Sequence, residues 1–169
     1  MENVLELKHV TFDDKVRKMW NIHMNDYYHL IRNRELISNT LYRVGGFGVD
    51  LKADYFILLK YTEAYYDDTI TKDKDRKPHL KNQWCILDKN GVERVIFKSF
   101  ENPYLVKDSQ IYTINNKYYN IETGEFYCYA LKEMESTEYL FLNSQFDENK
   151  SRRGVMKINK KDGTWELFK

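Results

Sequence analysis

Hydrophobic and polar positions alternate along the second half of this chain in a pattern that recurs three times. Residues 83–97, 117–129 and 154–168 each run through aromatic or β-branched residues, a short polar turn closed by Gly91, Gly124 or Gly163, and a second such run. Alternation with a period of two marks a strand with one face inward, and a turn closed by Gly lets the chain reverse because Gly accepts positive φ. Three β-hairpins are therefore predicted. Single strands at 110–114 and 139–146 lie between them. The run from Tyr55 to Tyr61 is apolar on both faces, which predicts a strand buried on both. Grouping each single strand with its hairpin gives three units: 55–61 with 83–97, 110–114 with 117–129, and 139–146 with 154–168. Their spacing is irregular, whereas stacked repeats usually keep a fixed period.

The first quarter of the chain reads differently. Residues 3–10 alternate and predict either a short strand or an extended arm. Thr11-Phe12-Asp13-Asp14 then has the form of a helix start. Val16, Met19, Trp20, His23, Met24, Tyr27, Leu30 and Ile31 follow at spacings of mainly three and four, which predicts a helix over about 12–35 with Asn25-Asp26 as its candidate break. Thr40 to Val44 reads as a strand, Gly45-Gly46-Phe47-Gly48 as a turn or bulge, and the charged stretch 67–81 as a long exposed loop. The expected fold is a single domain over 1–169, mainly β within an α+β class. It would be an antiparallel meander or incomplete propeller-like sheet over about 40–169, with one N-terminal helix packed on it.

Trp84-Cys85-Ile86-Leu87-Asp88-Lys89-Asn90-Gly91 resembles the core of bacterial WG repeats, in which a Trp-Gly pair leads an Ile-Asp-x-x-Gly turn. Ile121-Glu122-Thr123-Gly124 and Ile158-Asn159-Lys160-Lys161-Asp162-Gly163 are similar to the same turn. The likeness covers about residues 83–169. It departs from the family where Cys85 follows Trp84 and where the other two units lack the Trp. The resemblance implies a β-rich module, often a binding module, and carries over no catalytic residue. Three units are too few for a closed propeller, which needs at least four blades.

Composition narrows the function classes. The chain has 27 Lys and Arg against 26 Asp and Glu, so it lacks the basic excess of a domain that binds nucleic acid over its whole surface. Its 14 Tyr suit sheets with a half-wet face or interfaces. Heavy use of Lys, Asn, Ile and Tyr is what an AT-rich genome encodes, which points to a bacterium, its phages or its mobile elements. Met1 to Glu6 lacks the basic and apolar regions of a secretion signal, and no apolar run approaches the roughly 18 residues of a membrane span. The expectation is a cytoplasmic protein that meets no membrane. Cys85 and Cys128 sit in predicted strands beside bulky apolar neighbours and read as two buried thiols. A disulfide would need their strands to be neighbours.

No constellation fixes a chemistry. His23, Asp26 and His29 are spaced by three and would supply a metal-ligand set on a helix, the basis of a metal-dependent hydrolase reading. The spacing has no known mechanism and Tyr27 and Tyr28 crowd it, so they read as core or surface side chains. No cofactor, metal site or catalytic residue is assigned. Charge is uneven near the C-terminus: residues 132–149 carry net −4 and residues 150–169 net +5. Tyr127, Tyr129 and Tyr139 are read on the sheet face opposite the aliphatic one, which either lies under the helix or meets a partner. Together with the basic loop at Arg152 and Arg153 they form the candidate binding residues. The function expected is non-enzymatic recognition of another protein, as an accessory or inhibitory factor. Binding of single-stranded nucleic acid on stacked tyrosines is the alternative, and self-association through open strand edges is a further expectation.

Overall fold

The computed structural model describes residues 4–46, 48–65, 78–144 and 153–168, with the side chains of residues 63–65, 78–79 and 132–133 outside the description. Fourteen strands and one helix are ordered along these residues. They are β1 (Leu5–His9), α1 (Asp14–Met19), β2 (Tyr28–Arg32), β3 (Glu35–Leu36), β4 (Leu41–Arg43), β5 (Tyr55–Tyr65), β6 (Pro78–Asp88), β7 (Glu93–Lys98), β8 (Tyr104–Leu105), β9 (Ile111–Ile114), β10 (Lys117–Asn120), β11 (Phe126–Glu135), β12 (Tyr139–Ser144), β13 (Gly154–Asn159) and β14 (Trp165–Phe168). They form two antiparallel sheets of seven strands. The first runs β1-β2-β4-β5-β6-β7 with β3 beside β2, and the second runs from β8 to β14 in chain order. The mainly β fold with one N-terminal helix is thus as the alternation predicts.

Both faces of the first sheet are covered. One face gathers Leu5, Leu30, Tyr42, Phe56, Leu58, Cys85 and Leu87 into a core of its own. The sheet curls about this core until the β6–β7 turn meets β2: Arg32 donates to the Asn90 carbonyl, and a Cβ on Gly91 would fall 2.8 Å from Ile37 Cδ1. On the other face Tyr61, Leu41 and Leu59 pack against Phe12, Val16, Trp20 and Ile22 of the α1 region. Further along that face, Trp84, Ile86, Val95 and Phe97 meet Tyr112, Ile114, Tyr119 and Ile121 of the second sheet. The second sheet curls about a separate core of Ile111, Tyr118, Cys128, Leu140, Leu142, Met156 and Ile158. Cys85 and Cys128 therefore belong to different cores, and neither forms a disulfide.

The three predicted hairpins are present as β6–β7, β10–β11 and β13–β14, and their turns share a design. Asn120 donates its N–H to the Glu125 carbonyl and receives Gly124 N–H; Asn159 does the same with Thr164 and Gly163. The β6–β7 turn is one residue shorter, pairing Asp88 with Val92 and Gly91. In each, the side-chain oxygen of the first residue accepts backbone N–H groups inside the turn, and the closing Gly has φ of +75° to +77°. This is local Asp/Asn capping followed by a left-handed Gly.

The helix expected over 12–35 is corrected to six residues. Asp13 caps it through a 2.8 Å bond from Val16 N–H. It ends where Asn21 takes φ +55° and Ile22 N–H returns to the Arg17 carbonyl at 2.8 Å, a Schellman closure with Asn in the place usually held by Gly. Ile22 packs beside Val16, the apolar contact that accompanies such a closure. Tyr28 to Arg32 is then a strand paired to β1, with Leu30 and Ile31 buried on opposite faces. That two-sided burial is what imitates helical spacing. The loop expected at 67–81 is also shortened, because residues 78–81 begin β6; residues 66–77 lie outside the described residues.

Candidate functional site

The correction to the helix dissolves the His23, Asp26 and His29 set. His23 is exposed, and His29 lies on β2 with its Nδ1–H donating to the Thr40 carbonyl at 3.0 Å. Asp26 accepts from Arg43 Nη2 at 2.7 Å and Nε at 2.9 Å, and this pairing holds its carboxyl below the usual range. Arg43 is in turn flanked by the Tyr27 and Tyr61 rings. The cluster ties the segment leading into β2 to β4 and β5.

Tyr127 also needs correction as a surface residue. Cys128 pairs with Tyr118 and Phe126 with Tyr119, so Tyr127 is the extra residue of a β-bulge. The bulge turns its ring inward beside Cys128, and Tyr127 is fully buried. Its hydroxyl donates to the Gly163 carbonyl at 2.7 Å and accepts from Asn120 Nδ2 at 2.8 Å. Burial pushes its pKa up. Tyr127 thus locks the second hairpin to the third and cannot touch a partner of the folded protein.

Tyr129 and Tyr139 do share the outer face of the second sheet, both half-buried. Lys157 Nζ sits 4.1 Å from the Tyr139 ring centre. Arg153 is exposed just before β13, while Arg152 lies outside the described residues. Strand register shows who else occupies that face. Leu131 lies opposite Asn143, which lies opposite Val155, which lies opposite Phe168; the next row is Met134, Phe141, Lys157 and Glu166. Leu131, Met134 and Phe168 are 53%, 61% and 52% exposed. Leu131 and Met134 are thus neighbours on the outer face of β11, while Phe168 lies three strands away on β14, beyond Asn143 and Val155. Phe100, 74% exposed, is the contrast: it stands in the turn after β7 under Lys98. The helix does not reach the aromatic face of the second sheet, because its contacts are to the first.

Leu131 could have been found by extending the alternation from Tyr129. Met134 could not. A second bulge, between Lys132 and Met134, turns Met134 to the outer face, where simple alternation places it inside.

Two polar sites compete for attention. A cleft of about 340 Å³ opens where turns of both sheets meet, with Asp54, Asp88, Asp108 and Glu122 facing Lys89, Arg94, Lys160 and Lys161. Its central groups are spent on each other. Arg94 bonds Asp88 at 3.3 Å and Glu122 at 2.6 Å, and Tyr55 donates to Glu122. The cleft is therefore a tie between the sheets. Inside the first sheet, Glu93 accepts from Tyr42 and from Lys60, each at 2.8 Å. Burial, then the Glu93 carboxylate, pushes the nearby Cys85 thiol up to about 12. Neither cysteine should react with an aqueous thiol reagent at neutral pH until denaturant is added. Rapid labelling of the native protein would show that one of them is accessible after all.

No protein-family model matches this chain, and no curated protein or solved structure matches it either.

Proposed function

We propose that the protein is a non-enzymatic binding protein that recognises another protein through the outer face of β11 to β14. The observation that carries this reading is the exposure of Leu131 and Met134 as neighbours on β11, with Phe168 exposed on the same face at β14 and the half-buried Tyr129, Tyr139 and Phe141 on that face. Burying large apolar side chains gives on the order of 25 cal/mol per Å², and such residues concentrate binding energy when a partner excludes water from them. Among the described residues no helix is long and apolar enough to cross a membrane. Within this reading the protein acts in the cytoplasm, as an accessory or inhibitory factor.

Leu131→Asp and Phe168→Asp test the proposal. Both positions are exposed, so folding should hold within about 0.5 kcal/mol, the usual range for surface changes. Capture of a defined partner from the native host should fall by about tenfold or more, the factor that separates a hot spot from a neutral contact. Thermal melts and quantitative pull-down on the same variants supply both readouts. Unaltered capture by both variants would remove this face from the interface.

A further inference from the structure

The bulge residues of the first two hairpins stand in equivalent places. Arg94 lies three residues after the closing Gly91, and Tyr127 lies three after Gly124. Leu87 pairs with Glu93 and Ile86 with Val95, so Arg94 is the extra residue of β7 as Tyr127 is of β11. Each reaches in the same two directions. Arg94 donates to Asp88, the cap of its own turn, at 3.3 Å, and to Glu122 in the turn of the next hairpin at 2.6 Å. Tyr127 accepts from Asn120, the cap of its own turn, at 2.8 Å, and donates to the Gly163 carbonyl of the next turn at 2.7 Å. The third hairpin departs from this pattern. Glu166 lies three residues after Gly163, but Trp165 and Glu166 pair with Ile158 and Lys157 in unbroken register, and Glu166 is exposed.

We infer that Arg94 and Tyr127 are equivalent joints, each fastening one hairpin turn to the next, and that salt loosens the first joint but not the second. Their placement agrees and their chemistry differs. Arg94, Asp88 and Glu122 form an ionic joint, with side chains 30%, 12% and 38% exposed. Attraction between charges open to water weakens with salt, as the Debye length falls from about 10 Å at 0.1 M to about 3 Å at 1 M. Asp54, Asp108, Lys89 and Lys161 line the same cleft with charges of both signs, so screening acts on the joint itself and not on a large field of one sign. The second joint is neutral: Asn120, Tyr127 and Gly163 are buried, and Gln110 adds amide bonds to the Lys160 and Lys161 carbonyls. The ion pair on the third turn, Lys160 with Glu135 at 3.3 Å, has a buried lysine and is screened less. The apolar cluster of Trp84, Ile86 and Phe97 with Tyr112 and Ile121 holds the sheets throughout, so opening the first joint frees the turns without parting the sheets.

Amide hydrogen exchange on the full chain tests this at the turns. The reporters are the N–H groups of Asn90 and Val92 at the first turn, Thr123 and Gly124 at the second, and Asp162 and Gly163 at the third, which bond Asp88, Asn120 and Asn159. Arg94→Met should quicken exchange at the first and second turns about two- to fivefold, the range of an exposed ion pair, and leave the third unmoved. Tyr127→Phe should quicken the second and third about three- to tenfold, the range of one hydrogen bond, and leave the first unmoved. Glu122→Ala should loosen the second turn and not the third. Raising NaCl from about 0.1 M to about 1 M should quicken the second turn relative to the third in wild type, and should not do so in Arg94→Met. These last two arms leave the core untouched and decide the matter even where Tyr127→Phe fails to fold. Loosening confined to a variant's own turn would show that the joints do not couple neighbours. An equal salt response in wild type and Arg94→Met would overturn the ionic joint. A rise of one size at all three turns in both Arg94→Met and Glu122→Ala would overturn the inference as well, because the chain would then be answering as one body.

Discussion

Gly163→Ala should be the most damaging single-methyl change in the second sheet. Gly163 has φ +75°, where a non-Gly residue costs about 1–2 kcal/mol. A Cβ there would also fall 2.2 Å from Asn120 Nδ2 and 2.8 Å from the Tyr127 hydroxyl. Asn120 is buried and bonds both Tyr127 and Gln110 Oε1, so moving it breaks the lock between the hairpins. Each buried polar group left unpaired costs about 1–3 kcal/mol. The expected total is about 3–6 kcal/mol, or a fall in Tm on the order of 10–20 °C for a chain of this size. Gly124→Ala is the internal control. Gly124 holds the equivalent turn position at the same φ, yet nothing lies within 4 Å of its added Cβ. It should lose about 1–2 kcal/mol, the conformational cost by itself. Equal melting losses for the two variants would show that the Asn120–Tyr127–Gly163 lock contributes nothing.

That lock also shows where the sequence stops being legible. The turns themselves were readable, because Asp88, Asn120 and Asn159 cap locally and Gly91, Gly124 and Gly163 close them within a few residues. Alternation likewise sets Leu140 and Leu142 on the aliphatic face opposite Tyr139 and Phe141, and both are buried. What could not be read were register breaks. A bulge adds one residue and moves every later side chain to the other face, so Tyr127 went inside and Met134 outside against simple alternation. The over-long helix has a different cause. Leu30 and Ile31 are both buried because each side of β2 is covered, and adjacent buried residues count equally well toward helical spacing. A signal for the true end was present in Trp20-Asn21-Ile22, since Asn is the commonest substitute for Gly at a left-handed helix terminus.

Of the five candidate binding residues, Tyr129 and Tyr139 reach the face that the alternation assigned them, and Arg153 is exposed nearby in sequence. The aliphatic members were overlooked because a search for aromatic and Arg hot spots passes over Leu131 and Met134. In a sheet with a core on one side, an exposed aliphatic residue on the other is the more telling sign. Tyr tolerates water through its hydroxyl, whereas Leu and Met gain from contact only when covered.

Trp84→Ala should separate the two sheets energetically. Trp84 pairs with Leu59 and Phe97 in register, and its ring supports Gly45, whose added Cβ would lie 3.2 Å from two ring carbons. It belongs to the cluster in which Ile86 and Phe97 meet Tyr112 and Ile121 of the second sheet. Full truncation of a buried aromatic costs about 3–5 kcal/mol, and because Trp84 is half-buried the expected loss is about 2–4 kcal/mol. Each sheet keeps a core that excludes Trp84, one around Leu58 and Cys85 and the other around Leu140 and Met156. Weakening the shared cluster should therefore split one cooperative melt into two, with the first sheet unfolding at the lower temperature. Calorimetry on wild type and variant decides the matter. A variant that melts in one transition within a degree or two of wild type would show that the sheets are joined by the Arg94–Glu122 tie and not by Trp84 packing.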